Sequence, residues 1–297
     1  MGRILYKSAP LPFQGQKRNF VSVLEKFFCG GCSNDLFVSG VGSLSSDRWV
    51  IVDLFGGSGL LSDICKRYRP DCRVIYNDYD GYMVRLSHID ETNALLRLIY
   101  GIVNSGVNVK DRLSSDKRLA VLEVVRDWEL RYGYVDYITL SSNLLFSGKS
   151  VSSYDELLGV TMYNRVVSRP YVRGSYLEGV EIVHDDYKAL IERYKGLSNV
   201  LFMVDPPYFN TSDGHYSVSW DIWEYLSVLG DLMESGCPYI FFSCVRSRLD
   251  SFCRLIKRYK GIGSFLDDVT CYASHRHYCA GGRSSEDLMY ISNSLYE

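Results

Sequence analysis

Residues 48–68 read RWVIVDLFGGSGLLSDICKRY, and this stretch decides the fold. Trp49 to Leu54 is a short apolar run predicted as a strand, and Gly56-Gly57-Ser58-Gly59 is a tight turn. Leu60 to Tyr68 is predicted as a helix. The next segment, CRVIYNDYD (72–80), is a second strand that ends in the acids Asp78 and Asp80. This strand–turn–helix–strand order is the opening of a doubly wound α/β sheet. The same alternation returns later in the chain. EIVHDDYKALIERY (181–194) is strand, turn and helix, NVLFMVDPPY (199–208) strand and loop, and SWDIWEYLSVLGDLMES (219–235) a helix. PYIFFSCV (238–245) is a further strand, RLDSFCRLIKRYK (248–260) a helix and EDLMYISN (286–293) a final strand.

Between the two halves the pattern changes. SHIDETNALLRLIYGIV (87–103) and DKRLAVLEVVRDWELRYG (116–133) space apolar residues at three and four, the signature of amphipathic helices. A polar stretch rich in tyrosine and arginine follows. The expected organisation is an α/β domain formed by residues 1–87 and 180–297, interrupted by a mostly helical insertion, 88–179.

Composition bounds the function classes. The 297 residues are 46% hydrophobic and 23% charged, as in a globular chain with a sizeable core. No segment approaches the ~18 uninterrupted apolar residues of a membrane span, and the start lacks an apolar signal core, so a cytoplasmic protein with no membrane partner is expected. The formal net charge of −2 means that any nucleic-acid surface is a local patch. The nine cysteines are scattered and odd in number, which fits free thiols in a reducing compartment. Cys29-Gly-Gly-Cys32 has metal-ligand spacing and HRHYC (275–279) offers further ligands, but no second Cys-x-x-Cys exists, so no metal is expected.

Two constellations carry chemistry. In DLFGGSG (53–59) a glycine turn lets a ligand approach the backbone, and the following helix N-terminus presents free amides. The glycine order is not the dinucleotide pattern G-x-G-x-x-G, and Asp53 precedes the glycines. An acid there suits a ligand carrying a cation or amine. Asp78, at the end of the second strand, stands where acids bind ribose hydroxyls. Together these describe a site for a nucleoside with a positively charged tail, for which S-adenosylmethionine is the fitting cofactor. The second constellation is DPPY, Asp205 to Tyr208. The prolines stiffen the chain and hold a carboxylate and an aromatic ring at a strand's carboxyl end. An exocyclic amine gains positive charge as it takes a methyl group, so preplaced acceptors favour the transition state over the ground state. Asp205 and the Pro206 carbonyl are candidate acceptors, and Tyr208 is a candidate stacking face for a base taken out of the duplex.

These residues, in this order, resemble the Dam-type N6-adenine DNA methyltransferases. PFQGQKRNF (12–20) is similar to that family's N-terminal cofactor motif, whose lysine corresponds to Lys17. DLFGGSG resembles the glycine motif, NDYD with Asp78 the ribose-binding acid, and DPPY the catalytic tetrapeptide. HDDYKAL (184–190) resembles the element whose acid reaches the cofactor adenine, with Asp186 the better match and Asp185 the rival. GGRSSEDLMYISN (281–293) resembles the closing strand. The resemblance covers both ends of the chain and leaves the middle unmatched. It implies a Rossmann-like, seven-stranded S-adenosylmethionine-dependent methyltransferase core with a helical target-recognition insertion, acting on double-stranded DNA without a metal.

The implied cofactor residues are Lys17, Asp53, Phe55, Gly56, Gly57, Gly59, Asp78 and Asp186, and the catalytic residues Asp205, Pro206 and Tyr208. Within TMYNRVVSRPYVRGSY (161–176), Arg165, Arg169 and Arg173 are candidate phosphate or guanine contacts, with Tyr163, Tyr171 and Tyr176 among them. Asn164 either contacts a base or fills a space. His215 lies in a polar loop after DPPY, and Trp220 and Trp223 are expected to pack in the core. Cytosine N4, RNA adenine and a nucleic-acid-binding module with a silent pocket are the competing readings.

Overall fold

The computed structural model describes residues 6–29, 49–104, 108, 110–146, 148–207, 222–244, 249, 253, 267, 269–274, 277–278 and 284–292. In chain order it runs α1 (Val21–Cys29), β1 (Val50–Asp53), α2 (Leu60–Tyr68) and β2 (Arg73–Asn77). Five helices come next: α3 (Tyr82–Ser87), α4 (Ile89–Val103), α5 (Ser115–Tyr132), α6 (Tyr137–Leu144) and α7 (Tyr154–Leu158). The alternation resumes with β3 (Glu181–Val183), α8 (Tyr187–Tyr194), β4 (Val200–Val204), α9 (Ile222–Ser235) and β5 (Tyr239–Cys244). Strands β6 (Val269–Ala273) and β7 (Asp287–Ser292) complete a seven-stranded sheet of order β3-β2-β1-β4-β5-β7-β6. The first five strands run parallel, and β7 is antiparallel to both β5 and β6. The chain forms two compact units, one of residues 1–8, 15–80 and 175–297 and the other of 9–14 and 81–174.

In the first unit, strand character follows burial on both faces. Every residue of β4 and β5 is buried, so these segments read as continuous apolar runs, whereas the edge strand β3 is largely exposed. Val52, Phe202, Val204 and Phe241 join a core with Leu190, Ile191 and Tyr194 of α8 and Val228, Leu229 and Leu232 of α9. The alternate residues Ile51, Leu201, Met203 and Phe242 are buried on the opposite face, where the Phe20 ring meets Phe242 edge-on at 5.6 Å. Layers on both faces make the sheet doubly wound. Its strand order reverses between β1 and β4, and ligands of such sheets bind outside the strand carboxyl ends at that point.

Helix α9 corrects one expectation. Tyr225, Val228, Leu229 and Leu232 form its buried stripe, and Trp223, on the other side of the helix, is 72% exposed rather than packed in the core. Trp220, His215 and most of 248–260 lie outside the described residues.

The second unit has a core of its own. Leu95, Leu96, Ile99 and Val103 of α4 pack with Val121, Leu122 and Val125 of α5 and Tyr137, Leu140 and Leu144 of α6. Helix α5 starts at Ser114, whose hydroxyl accepts from the Lys117 amide, and stops at Gly133 in the left-handed region. Helix α3 belongs to this unit because Arg85 pairs with Asp136 of the α6 cap at 3.1 Å and donates to Thr139 Oγ1. Residues 9–14 belong to it through the Tyr82 hydroxyl, which bonds both backbone groups of Leu11. No helix among the described residues is long and apolar enough to cross a membrane.

Candidate active site

Strand β1 ends at Asp53 and the chain turns at once. The Gly59 amide donates to the Gly56 carbonyl at 2.7 Å, and Gly57 and Gly59 have φ of 50° and 75°. Gly56 is required by packing, because a Cβ there would stand 2.2 Å from the Tyr76 ring and 2.8 Å from the Asn77 carbonyl oxygen. The Tyr76 hydroxyl lies 2.7 Å from the Gly57 carbonyl oxygen and 2.9 Å from Asp78 Oδ1. One aromatic side chain therefore ties the glycine turn to the expected ribose acid. Asp78 is buried, its amide donates to Val183, and its carbonyl oxygen is 2.8 Å from His184 Nδ1.

Asp53 is fully buried. Ser62 Oγ donates to its Oδ2 at 2.7 Å, and Oδ1 has no hydrogen-bond partner among the described residues. Burial pushes its pKa up to about 7, the Ser62 hydroxyl opposes that shift, and the Asp205 carboxylate adds to it. A buried carboxylate oxygen without a donor carries a desolvation cost that a cationic or N–H-bearing ligand would relieve.

Asp205 follows β4 directly. Leu54 donates to the Met203 carbonyl across the β1–β4 pairing, so the two strand ends lie side by side and their acids flank the switch point. Lys17 Nζ is 2.7 Å from Asp205 Oδ2 and donates to the Gly15 carbonyl, and Lys17 is buried at 5% exposure. Burial raises the pKa of Asp205, Lys17 counters that, and the Asp287 carboxylate raises it further. Pro206 is buried, and Tyr208 lies outside the described residues.

The structure therefore brings Lys17, Asp53, Phe55, the glycines, Asp78 and Asp205 to one end of one sheet. Two other sequence candidates have local work there. The Asp186 carboxylate caps α8 by accepting from the Lys188 amide at 2.8 Å, and Asp185 pairs with Arg193 at 2.8 Å. The Phe55 ring packs on Tyr187 at 5.3 Å. Sequence reading missed Asn77. Its amide nitrogen donates to the carbonyls of Leu54 and Asp185 and its oxygen accepts from the Asp185 amide, locking the loop after β1 to the loop after β3. Its position beside Asp78 was the available signal.

The arginine segment is more committed internally than its composition predicts. Asn164 is buried at 2% exposure. Arg165 donates to the Leu145 carbonyl and lies over the Phe146 ring at 5.4 Å. Tyr176 is buried in the first unit and donates to the Ser58 carbonyl at 3.0 Å. Arg169 is exposed and Arg173 half-buried. No group of three metal-ligating side chains occurs among the described residues, and Cys32, Cys279 and the Cys29 side chain lie outside them.

A seven-stranded α/β sheet with a glycine turn and two acids at its switch point is consistent with a methyltransferase core. No protein-family model matches the chain. Over 295 residues it is 33% identical to a Haemophilus influenzae protein described as a "Putative methyltransferase", an alignment covering 98% of this chain and 93% of the relative. The chain belongs to that methyltransferase family.

Proposed function

We propose that this methyltransferase moves a methyl group from S-adenosylmethionine to the N6 amine of adenine in double-stranded DNA, acting on a base turned out of the helix. The observation that carries this reading is the pairing of Asp53 and Asp205 at the ends of adjacent strands, in a chain whose relative is described as a methyltransferase. The residues suit the cofactor. The unpartnered Oδ1 of Asp53 fits its ammonium group, Gly56 lets the turn close against Tyr76 and Asn77, and Asp78 fits its ribose. Phe55, Gly57 and Gly59 shape the turn, and Asp186 remains the proposed acid for its adenine. Bound there, S-adenosylmethionine supplies an electrophilic methyl group on a sulfonium.

The rest is the chain's own work. An adenine amine is a weak nucleophile because its lone pair is delocalised into the ring. As its nitrogen becomes positive, its N–H groups become stronger donors, so an ionised Asp205 and the Pro206 carbonyl gain more in the transition state than before it. Tyr208 supplies the stacking face. The second unit, with Arg169 and Arg173, is the proposed recognition element for the duplex. The test is to incubate the protein with methyl-labelled S-adenosylmethionine and duplex DNA of random sequence, then digest to nucleosides. Labelled N6-methyladenine is the expected product. N4-methylcytosine would move the substrate, and absence of label in DNA would overturn the reading.

A further inference from the structure

The lysine that sequence resemblance assigns to the cofactor is bonded in the structure to the proposed catalytic carboxylate. Lys17 Nζ is 2.7 Å from Asp205 Oδ2, and the lysine is 5% exposed. Its backbone is fixed as firmly as its side chain. The Phe20 amide donates to the Lys17 carbonyl at 3.0 Å, closing the turn Arg18–Phe20. Phe20 is fully buried against Phe242 of β5, the strand next to β4, and Leu24 and Phe27 of α1 are fully buried behind it. The turn is thus pinned to the sheet that carries Asp205.

Buried ion pairs contribute little net stability, because desolvation of both partners offsets their attraction. A pair held this rigidly in a ligand crevice therefore points to a role in the chemistry. The charges around Asp205 say which role. Asp287 from β7 acts on it electrostatically as a like charge, while the Asp205 charge itself raises the pKa of Asp53 of β1 and reaches the Tyr225 hydroxyl of α9. Among the described residues, Lys17 is the cation that opposes these groups.

We propose that Lys17 is a positioning residue that keeps Asp205 ionised and oriented as a hydrogen-bond acceptor. The proposal rests on the reading of Asp205 as the acceptor for the substrate amine. A protonated Asp205 carries an O–H that would face the amine's own donors, so losing the lysine charge would remove the acceptor at pH values where the native enzyme retains it.

The test follows the Asp205 carboxyl carbon by NMR in the full-length protein labelled at aspartate, with Asp205→Asn identifying its signal. The titration midpoint of Asp205 is expected to rise by about 1–3 pH units in Lys17→Met and to return in Lys17→Arg, the range for one adjacent opposite charge. Should Lys17→Met fail to fold, Lys17→Gln keeps a donor without the charge and makes the same test. A midpoint that stays put overturns the proposal. So does loss of S-adenosylmethionine binding in a calorimeter with that midpoint unchanged, which would assign the lysine to the cofactor. Where native protein methylates DNA, the acid limb of its rate profile moves with the midpoint. Where it does not, the functional reading fails while the titration still decides the role of Lys17.

Discussion

At the residue scale, two carboxylates on neighbouring strands have different surroundings. Asp205 has a lysine on one oxygen, and Asp53 has a serine hydroxyl and one orphan oxygen. Asp205→Ala is expected to keep cofactor binding, measured by calorimetry, and to lose ~10²-fold or more in methyl-transfer rate, the scale for one transition-state acceptor. Asp53 should govern pH dependence. Its folded pKa of about 7 exceeds the ordinary 3.8, so between those values the native state holds a proton that the unfolded chain has released. The stability this confers is full below the lower value and lost as pH rises through the upper one, an effect of order 4 kcal/mol at most. Thermal melts of Asp53→Asn against native protein should therefore show the variant's relative stability rising from pH 5 to pH 8. A cationic ligand needs the ionised form, so native affinity for S-adenosylmethionine should strengthen by up to ~10-fold per pH unit as pH approaches 7 from below.

At the scale of elements, the glycine turn and the strand beside it act as one part. The Tyr76 ring fills the space where a side chain at position 56 would sit, and its hydroxyl reaches both the turn and Asp78. Gly56→Ala should cost about 1–3 kcal/mol in urea unfolding, the usual penalty for overpacking, and weaken cofactor binding. Intact stability and binding would show that the ring yields easily. This scale also shows what sequence makes legible. Strands β1, β2, β4 and β5 and helices α2, α4, α5 and α9 follow from apolar runs and periodicity, because burial on two faces or one stripe leaves a local pattern. The acids at strand ends were readable for the same reason. The Lys17–Asp205 pair, the Asn77 bridge and the Ser62 contact to Asp53 were not, because they join segments that only the folded sheet brings together. Trp223 was misplaced because a three-residue spacing to Trp220 mimics a buried stripe that the structure puts at Tyr225, Val228, Leu229 and Leu232.

For the whole molecule, the decisive quantity is where positive charge is concentrated on a chain whose formal net charge is −2. Non-specific attraction to a polyanion must come from a few side chains, and Arg165 is already engaged with Leu145 and Phe146. Arg169→Gln should reduce the slope of log affinity for duplex DNA against log salt by about 0.9, the value for one phosphate contact, and leave thermal stability within ~0.5 kcal/mol. An unchanged slope would remove that arginine from the interface. The sheet order has a consequence for how such a chain is made. Its central neighbours, β1 and β4, lie on either side of the whole segment 81–174. During vectorial synthesis β1 and β2 leave the ribosome with no partner for the open edge of β1, and they must wait while that segment, which has its own apolar core, is translated. The nascent chain thus spends its longest interval with an unpaired parallel edge, the state most open to edge-to-edge association.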